Sequence, residues 1–76
     1  MNQTKGDPPD SEFEYKSRQV CVYAIHLEGK PGLFTYNVSI DGRIQHDPGR
    51  LSGITHTEAV GAGQDFARNV IDSTAA

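Results

Sequence analysis

The sequence predicts a small α+β domain: a three-stranded antiparallel meander with one C-terminal helix packed on one face, in the order β-β-β-α. Three observations carry this. Arg18 to Leu27 is rich in β-branched and aromatic residues and free of Gly and Pro, the composition of a strand. Phe34 to Ile40 sets Phe34, Tyr36, Val38 and Ile40 against Thr35, Asn37 and Ser39, a period of two with one dry and one wet face. From Thr55 onward a capping pattern leads into apolar residues at helical spacing.

Seventy-six residues make one domain with a modest core. Residues 1–12 read as a disordered acidic N-terminal tail, with Asn2, Gln3, Thr4, Gly6, Pro8 and Pro9 offering nothing to bury. Residues 13–73 are expected to form the domain, and 74–76 to fray. Phe13 and Tyr15 begin an alternation that is either strand already or a loose lead-in.

Arg18 to Leu27 is apolar on both faces in its middle. Cys21, Tyr23 and Ile25 lie on one side, and Val20, Val22 and Ala24 on the other. Pro31 and Gly32 then mark a type II turn, the proline presetting φ and the glycine supplying a positive one. Asp41-Gly42 is a hairpin signal with two possible registers. A two-residue loop pairs Ile40 with Arg43 and puts Ile44 on the wet face. A three-residue loop with Gly42 as a bulge pairs Val38 with Ile44 and keeps Ile44 in the core. Burial favours the bulged loop. Arg43 to Asp47 forms a short third strand, ended by Pro48-Gly49.

The helix opens on a capping box, Thr55 with Glu58. Ala59, Gly63, Phe66, Ala67 and Val70 share one face, with Phe66 expected at the centre of the core. Asp65 and Arg68 are placed to pair at i, i+3. The run Gly61-Ala62-Gly63 lies inside the helix rather than before it, so it is not a phosphate loop.

Chemistry-bearing patterns are sparse. The single cysteine, Cys21, excludes an internal disulfide. His26, His46, His56, Cys21, Asp41 and Asp47 lack metal-ligand spacing, so no metal and no cofactor are expected. Ser39, Ser52 and Cys21 have no nucleophile-elbow context, so no catalytic residue is assigned and the chain is read as non-enzymatic. There is no apolar run of about 18 residues, and the polar, acidic N-terminus is not a signal peptide. The default expectations are no membrane and a cytoplasmic location.

Charge is uneven. Residues 1–14 sum to −3, residues 15–50 to +2 and residues 51–76 to −2. The mildly basic sheet half mixes cations with aromatics, as nucleic-acid stacking surfaces do. Its candidate contacts are Lys16, Arg18, Tyr36, Arg43, His46 and Arg50.

Three strands followed by a helix that opens with Thr55, Glu58 and Ala59 resemble in layout the N-terminal DNA-binding domains of tyrosine-type integrases, which lay a three-stranded sheet into DNA. The layout also resembles HicB-type antitoxin domains. Integrase domains of this kind are strongly basic, whereas this sheet half is only +2. HicB-type domains continue into a further strand. The likeness is one of topology and assigns no functional residue.

The first strand decides between functions. One helix covers one face of a sheet, and this strand is apolar on both. The leftover face of a monomer would be exposed, which marks an interface. The expected function is therefore a small protein-interaction module that self-associates as a homodimer, unless Phe13, Tyr15 or Leu51 folds over the face within one chain. The alternative is a small nucleic-acid-binding domain using its exposed sheet face.

Overall fold

A computed structural model of the chain describes residues 8–74. Five elements follow in order: β1 (Ser11–Tyr15), β2 (Arg18–His26), β3 (Phe34–Ile40), β4 (Arg43–Gln45) and α1 (His56–Thr74). The strands form one antiparallel sheet in sequence order, β1-β2-β3-β4. The fold is α+β, with an antiparallel meander under one C-terminal helix, and it has four strands rather than three.

The extra strand is β1. Ser11 pairs with Val22, Glu12 with Cys21 and Phe13 with Val20. Ser11 and Glu12, expected in the tail, therefore belong to the sheet, and Asp10 joins it through an N–H donated to Val22 O at 2.9 Å. Of the rest of the expected tail, Pro8 and Pro9 hold no regular structure and residues 1–7 lie outside the described residues, as do residues 75 and 76. Helix α1 runs through Thr74, whose hydroxyl donates to the Val70 and Ile71 carbonyls at 3.2 Å each.

The β3–β4 hairpin corrects the expected register. Ile40 pairs with Arg43 and Ser39 with Ile44, so the loop is the two residues Asp41-Gly42. Both have positive φ, 52° and 82°, the paired left-handed geometry whose twist matches that of the flanking strands. The Asp41 carboxylate fixes the turn from the side. It accepts from the Gln19 backbone N–H at 3.0 Å and from Arg18 Nε. The Gln19 N–H, then Arg18, holds the Asp41 carboxyl below its ordinary pKa. Burial of Ile44 does not decide the register because β4 is the sheet margin and α1 lies over β1, β2 and β3.

Helix and sheet meet through Val20, Val22, Tyr36, Val38 and Ile40 below and Ala59, Ala67 and Ile71 above, all buried. Burying each of the large aliphatic side chains contributes about 1.5–3 kcal/mol. Gly63 lets the helix down onto Val22 and Val38. Phe66, expected at the centre, is half-buried at the flank of this cluster. The helix presses its smallest residues to the middle of the sheet, which leaves the large ring at the side. The capping box is formed: Glu58 N–H donates to Thr55 Oγ1 at 3.1 Å and Thr55 N–H to Glu58 Oε1 at 3.0 Å. Arg68 pairs with Asp65 at 2.7 Å.

Candidate interaction surface

The helix takes the β2 face carrying Val20 and Val22, so Cys21, Tyr23 and Ile25 point away from it. Their cross-strand partners on β3 are Ser39, Asn37 and Thr35. Ile44 continues the Cys21–Ser39 rung on β4, and Glu12 continues it on β1. This second face therefore has an apolar stripe along β2 and a polar stripe along β3. Ile25 is 39 % exposed and Ile44 67 %.

None of the three segments considered as an internal cover closes this face. Phe13 and Tyr15 lie on the helix side. Arg68 of α1 sits over the Phe13 ring, 5.9 Å from its centroid, and the Tyr15 hydroxyl donates to Asp72 of α1 at 3.1 Å. Leu51 stands beside the β3 edge at 53 % exposed, tied there by its carbonyl, which accepts from Thr35 Oγ1 at 2.7 Å. Partial burial raises the Tyr23 phenol above its ordinary pKa, with Cys21 beside it adding to the shift.

The margin of this face beyond β3 is a hung loop, residues 46–53. Strand β4 leaves β3 after Gln45, and Ile54 rejoins it opposite Phe34, donating at 3.1 Å and accepting at 2.6 Å. Between those points Asp47 accepts from the Tyr36 hydroxyl at 2.8 Å and from the Gly49 N–H at 2.9 Å. Arg50 Nη1 donates to Asn37 Oδ1 at 2.8 Å and to Tyr36 O at 3.4 Å. Burial, then the bond to Asp47, raises the Tyr36 phenol above its ordinary pKa. A cleft of about 230 Å³ opens here among Tyr36, Gln45, His46, Arg50 and Phe66.

The six candidate nucleic-acid contacts fall in separate places. Tyr36 is buried beneath α1, 3 % exposed. Lys16 is paired with Asp72 at 2.7 Å, and Arg18 with Asp41. Arg43 is exposed on β4. Only Tyr36, His46 and Arg50 share a site, as lining of the cleft. Among the described residues, no three or more His, Cys, Asp or Glu side chains gather as a metal site would need, and no helix is long and apolar enough to cross a membrane.

One further constellation was not legible in the sequence. His56, in the first turn of α1, places Nε2 3.0 Å from Asp10 Oδ1, while Asp10 Oδ2 accepts from the Ala24 N–H at 2.7 Å. The Ala24 N–H, then His56, lowers the Asp10 pKa from its ordinary value. Forty-six residues separate this pair, and no motif marks it. It pins the leading end of β1 to β2 and to the helix start.

Fold and surface together define a small α+β domain with one sheet face covered by its own helix and the other bare of a helix among the described residues, its β2 stripe partly exposed and its β3 residues Thr35 and Ser39 only 7 % and 6 % exposed. No family model, curated protein or solved structure matches this chain.

Proposed function

We propose that this chain is a non-enzymatic protein-interaction module that self-associates through the open face of its sheet. The observation that supports it is the stripe of Cys21, Tyr23 and Ile25, extended sideways by Ile44, with Phe13 and Tyr15 on the helix side and Leu51 reaching only the β3 edge of the face at Thr35. Leaving such a stripe in water forgoes roughly 25 cal/mol per Å² of apolar surface, and a second copy is the simplest cover. Of two surface concavities, one of about 230 Å³ falls below the range for small-molecule sites and one of about 360 Å³ falls near the bottom of it, roughly 300–1,000 Å³, which fits a binding module better than an enzyme.

Sedimentation equilibrium over tens to hundreds of micromolar protein tests this. The expected result is a mass that rises with concentration toward twice 8.3 kDa. A single species at 8.3 kDa across the range overturns the reading.

A further inference from the structure

Granting the self-association proposed above, we infer that two copies pack open face to open face about a two-fold axis running along the strands, so that Glu12 of each copy meets Arg50 of the other.

Charge on the open face is sided. Glu12 and Glu14 stand on β1, at one margin. Arg50 stands at the opposite margin, held on that side by Asn37. Its guanidinium donates to two neutral oxygens, Asn37 Oδ1 and Tyr36 O, and makes no ion pair among the described residues. Among the described residues, Glu12 accepts only from the neutral Gln19 amide, at 2.9 Å. Among the described residues, each margin thus presents a charge with no opposite partner.

In an aligned packing of two facing sheets, the two-fold axis lies either across the strands or along them. Across the strands, β1 covers β1, and the Glu12 and Glu14 carboxylates of the two copies face one another, which is repulsive. Along the strands, β1 covers the β4 margin and β2 covers β3. Glu12, Cys21, Ser39 and Ile44 share one rung, and Asn37, which holds Arg50, is two rungs away, on the next rung whose side chains share this face. Glu12 of one copy then lies over Ile44 of the other, within side-chain reach of Arg50. The axis passes between β2 and β3, so Tyr23 and Cys21 of the two copies flank it. Pairing by strand edges is the poorer solution. The β1 edge is five residues long, and a second β1 beside it sets like charges together.

The interface is small. Four strands about 4.8 Å apart and about five residues long at 3.3 Å each give a projected area of roughly 300 Å². That is well below the roughly 800 Å² per partner of a stable complex, so the dimer is weak and reversible. With few contacts in total, the two Glu12–Arg50 pairs decide the orientation.

The test uses the full chain with Cys21→Ser, carrying either Glu12→Cys or Arg50→Cys, the two variants mixed at sedimentation concentrations and joined with a short bis-maleimide. Expected is a crosslink between the two variants in about tenfold excess over that formed by E12C alone, as an axis along the strands requires. Predominant E12C self-crosslinking overturns the axis and leaves self-association standing. A dimer in sedimentation that gives neither crosslink overturns the face-to-face geometry. A monomer throughout removes both. Melting curves establish that each variant folds. If R50C does not, Ile44→Cys, on the same margin, replaces it.

Discussion

Gly63 of α1 rests on Val22 of β2 with no room for a side chain between them: a Cβ on Gly63 would stand 2.5 Å from Val22 Cγ1 and 3.3 Å from Val38 Cγ2. Two glycines two residues apart in one helix consequently do opposite things. At Gly61 a Cβ meets nothing within 4 Å. Gly61→Ala should gain up to about 1 kcal/mol from helix propensity alone. Gly63→Ala gains the same propensity but forces α1 off the sheet, at about 1–3 kcal/mol, for a net loss. Thermal melts of the two variants should move in opposite directions; Gly63→Ala melting at or above the parent would mean that the helix does not seat on Val22.

The β1–β2 turn stores strain that one substitution should release. Lys16 and Ser17 have φ of 50° and 67°, the left-handed geometry of a two-residue hairpin loop, with neither Gly nor Asn to accept it. Each such residue costs about 1–2 kcal/mol. The exposed ion pair of Lys16 with Asp72 offsets its strain only in part. Ser17→Gly removes its share of the strain, and the melting temperature should rise by several degrees, since about 1 kcal/mol moves a domain of this size by about 4–8 °C. An unchanged or lower value would argue against this turn.

That turn also explains why β1 was hard to read from sequence. Strand β3 announces itself by alternation and by Asp41-Gly42, and the helix by Thr55, Glu58 and its apolar period. Each signal is local and each element formed. The Lys16-Ser17 hairpin carries no turn residue, so Phe13 and Tyr15 read ambiguously as strand or lead-in. The misplaced register of Ile44 has another cause. Alternation gives two registers, and the choice between them rests on where the helix lies across the sheet, a tertiary fact. Of the candidate surface, the doubly apolar β2 was legible. Which face stayed open was not, because it depends on Gly63 seating over Val22 rather than on any feature of β2 itself.

Phe66 and Ile71 separate the flank of the core from its centre. Ile71 is 1 % exposed, and Ile71→Ala should cost about 2–5 kcal/mol. Phe66 is half-buried and lines the cleft beside Tyr36. Phe66→Ala should therefore fall below the roughly 3–5 kcal/mol of a fully buried ring. Urea denaturation of both variants gives the comparison; a larger loss at Phe66 would return it to the centre.

Acid should weaken the fold through three carboxylates. The pKa of Asp10 is lowered by the Ala24 N–H and then His56, that of Asp41 by the Gln19 N–H and then Arg18, and that of Asp72 by Lys16. A carboxyl whose folded pKa is depressed contributes stability above its unfolded value, and that stability is lost as pH falls through the folded one. The melting temperature should hold from pH 7 down to the ordinary value of 3.8 and drop below it. Asp10→Asn should shrink that drop. The same residue bears on the N-terminal segment. Reading residues 1–12 as a disordered tail with little to bury makes deletion through Asp10 nearly silent. With three bonds from Asp10 to Val22, Ala24 and His56, deletion through Asp10 should lower the melting temperature more than deletion through Asp7. Equal melting of the two truncations would show that these contacts contribute nothing.

Ile44 is where register and function meet. In the observed pairing Ser39 and Ile44 are directly opposed, between the hydrogen-bonded pairs Ile40–Arg43 and Val38–Gln45, so their α-carbons approach to about 4.5 Å. A strong NOE between the Ser39 and Ile44 α-protons should be present, and the bulged alternative would replace it with a Val38–Ile44 contact. Because the side chain is mostly in water in one copy, Ile44→Lys should change the stability of the monomer by no more than about 0.5 kcal/mol. The same change sets a charge on the open face where a second copy would lie, and it should weaken self-association by about tenfold or more in sedimentation. A variant that unfolds would place Ile44 in the core after all; one that dimerises like the parent would take the open face out of the interface.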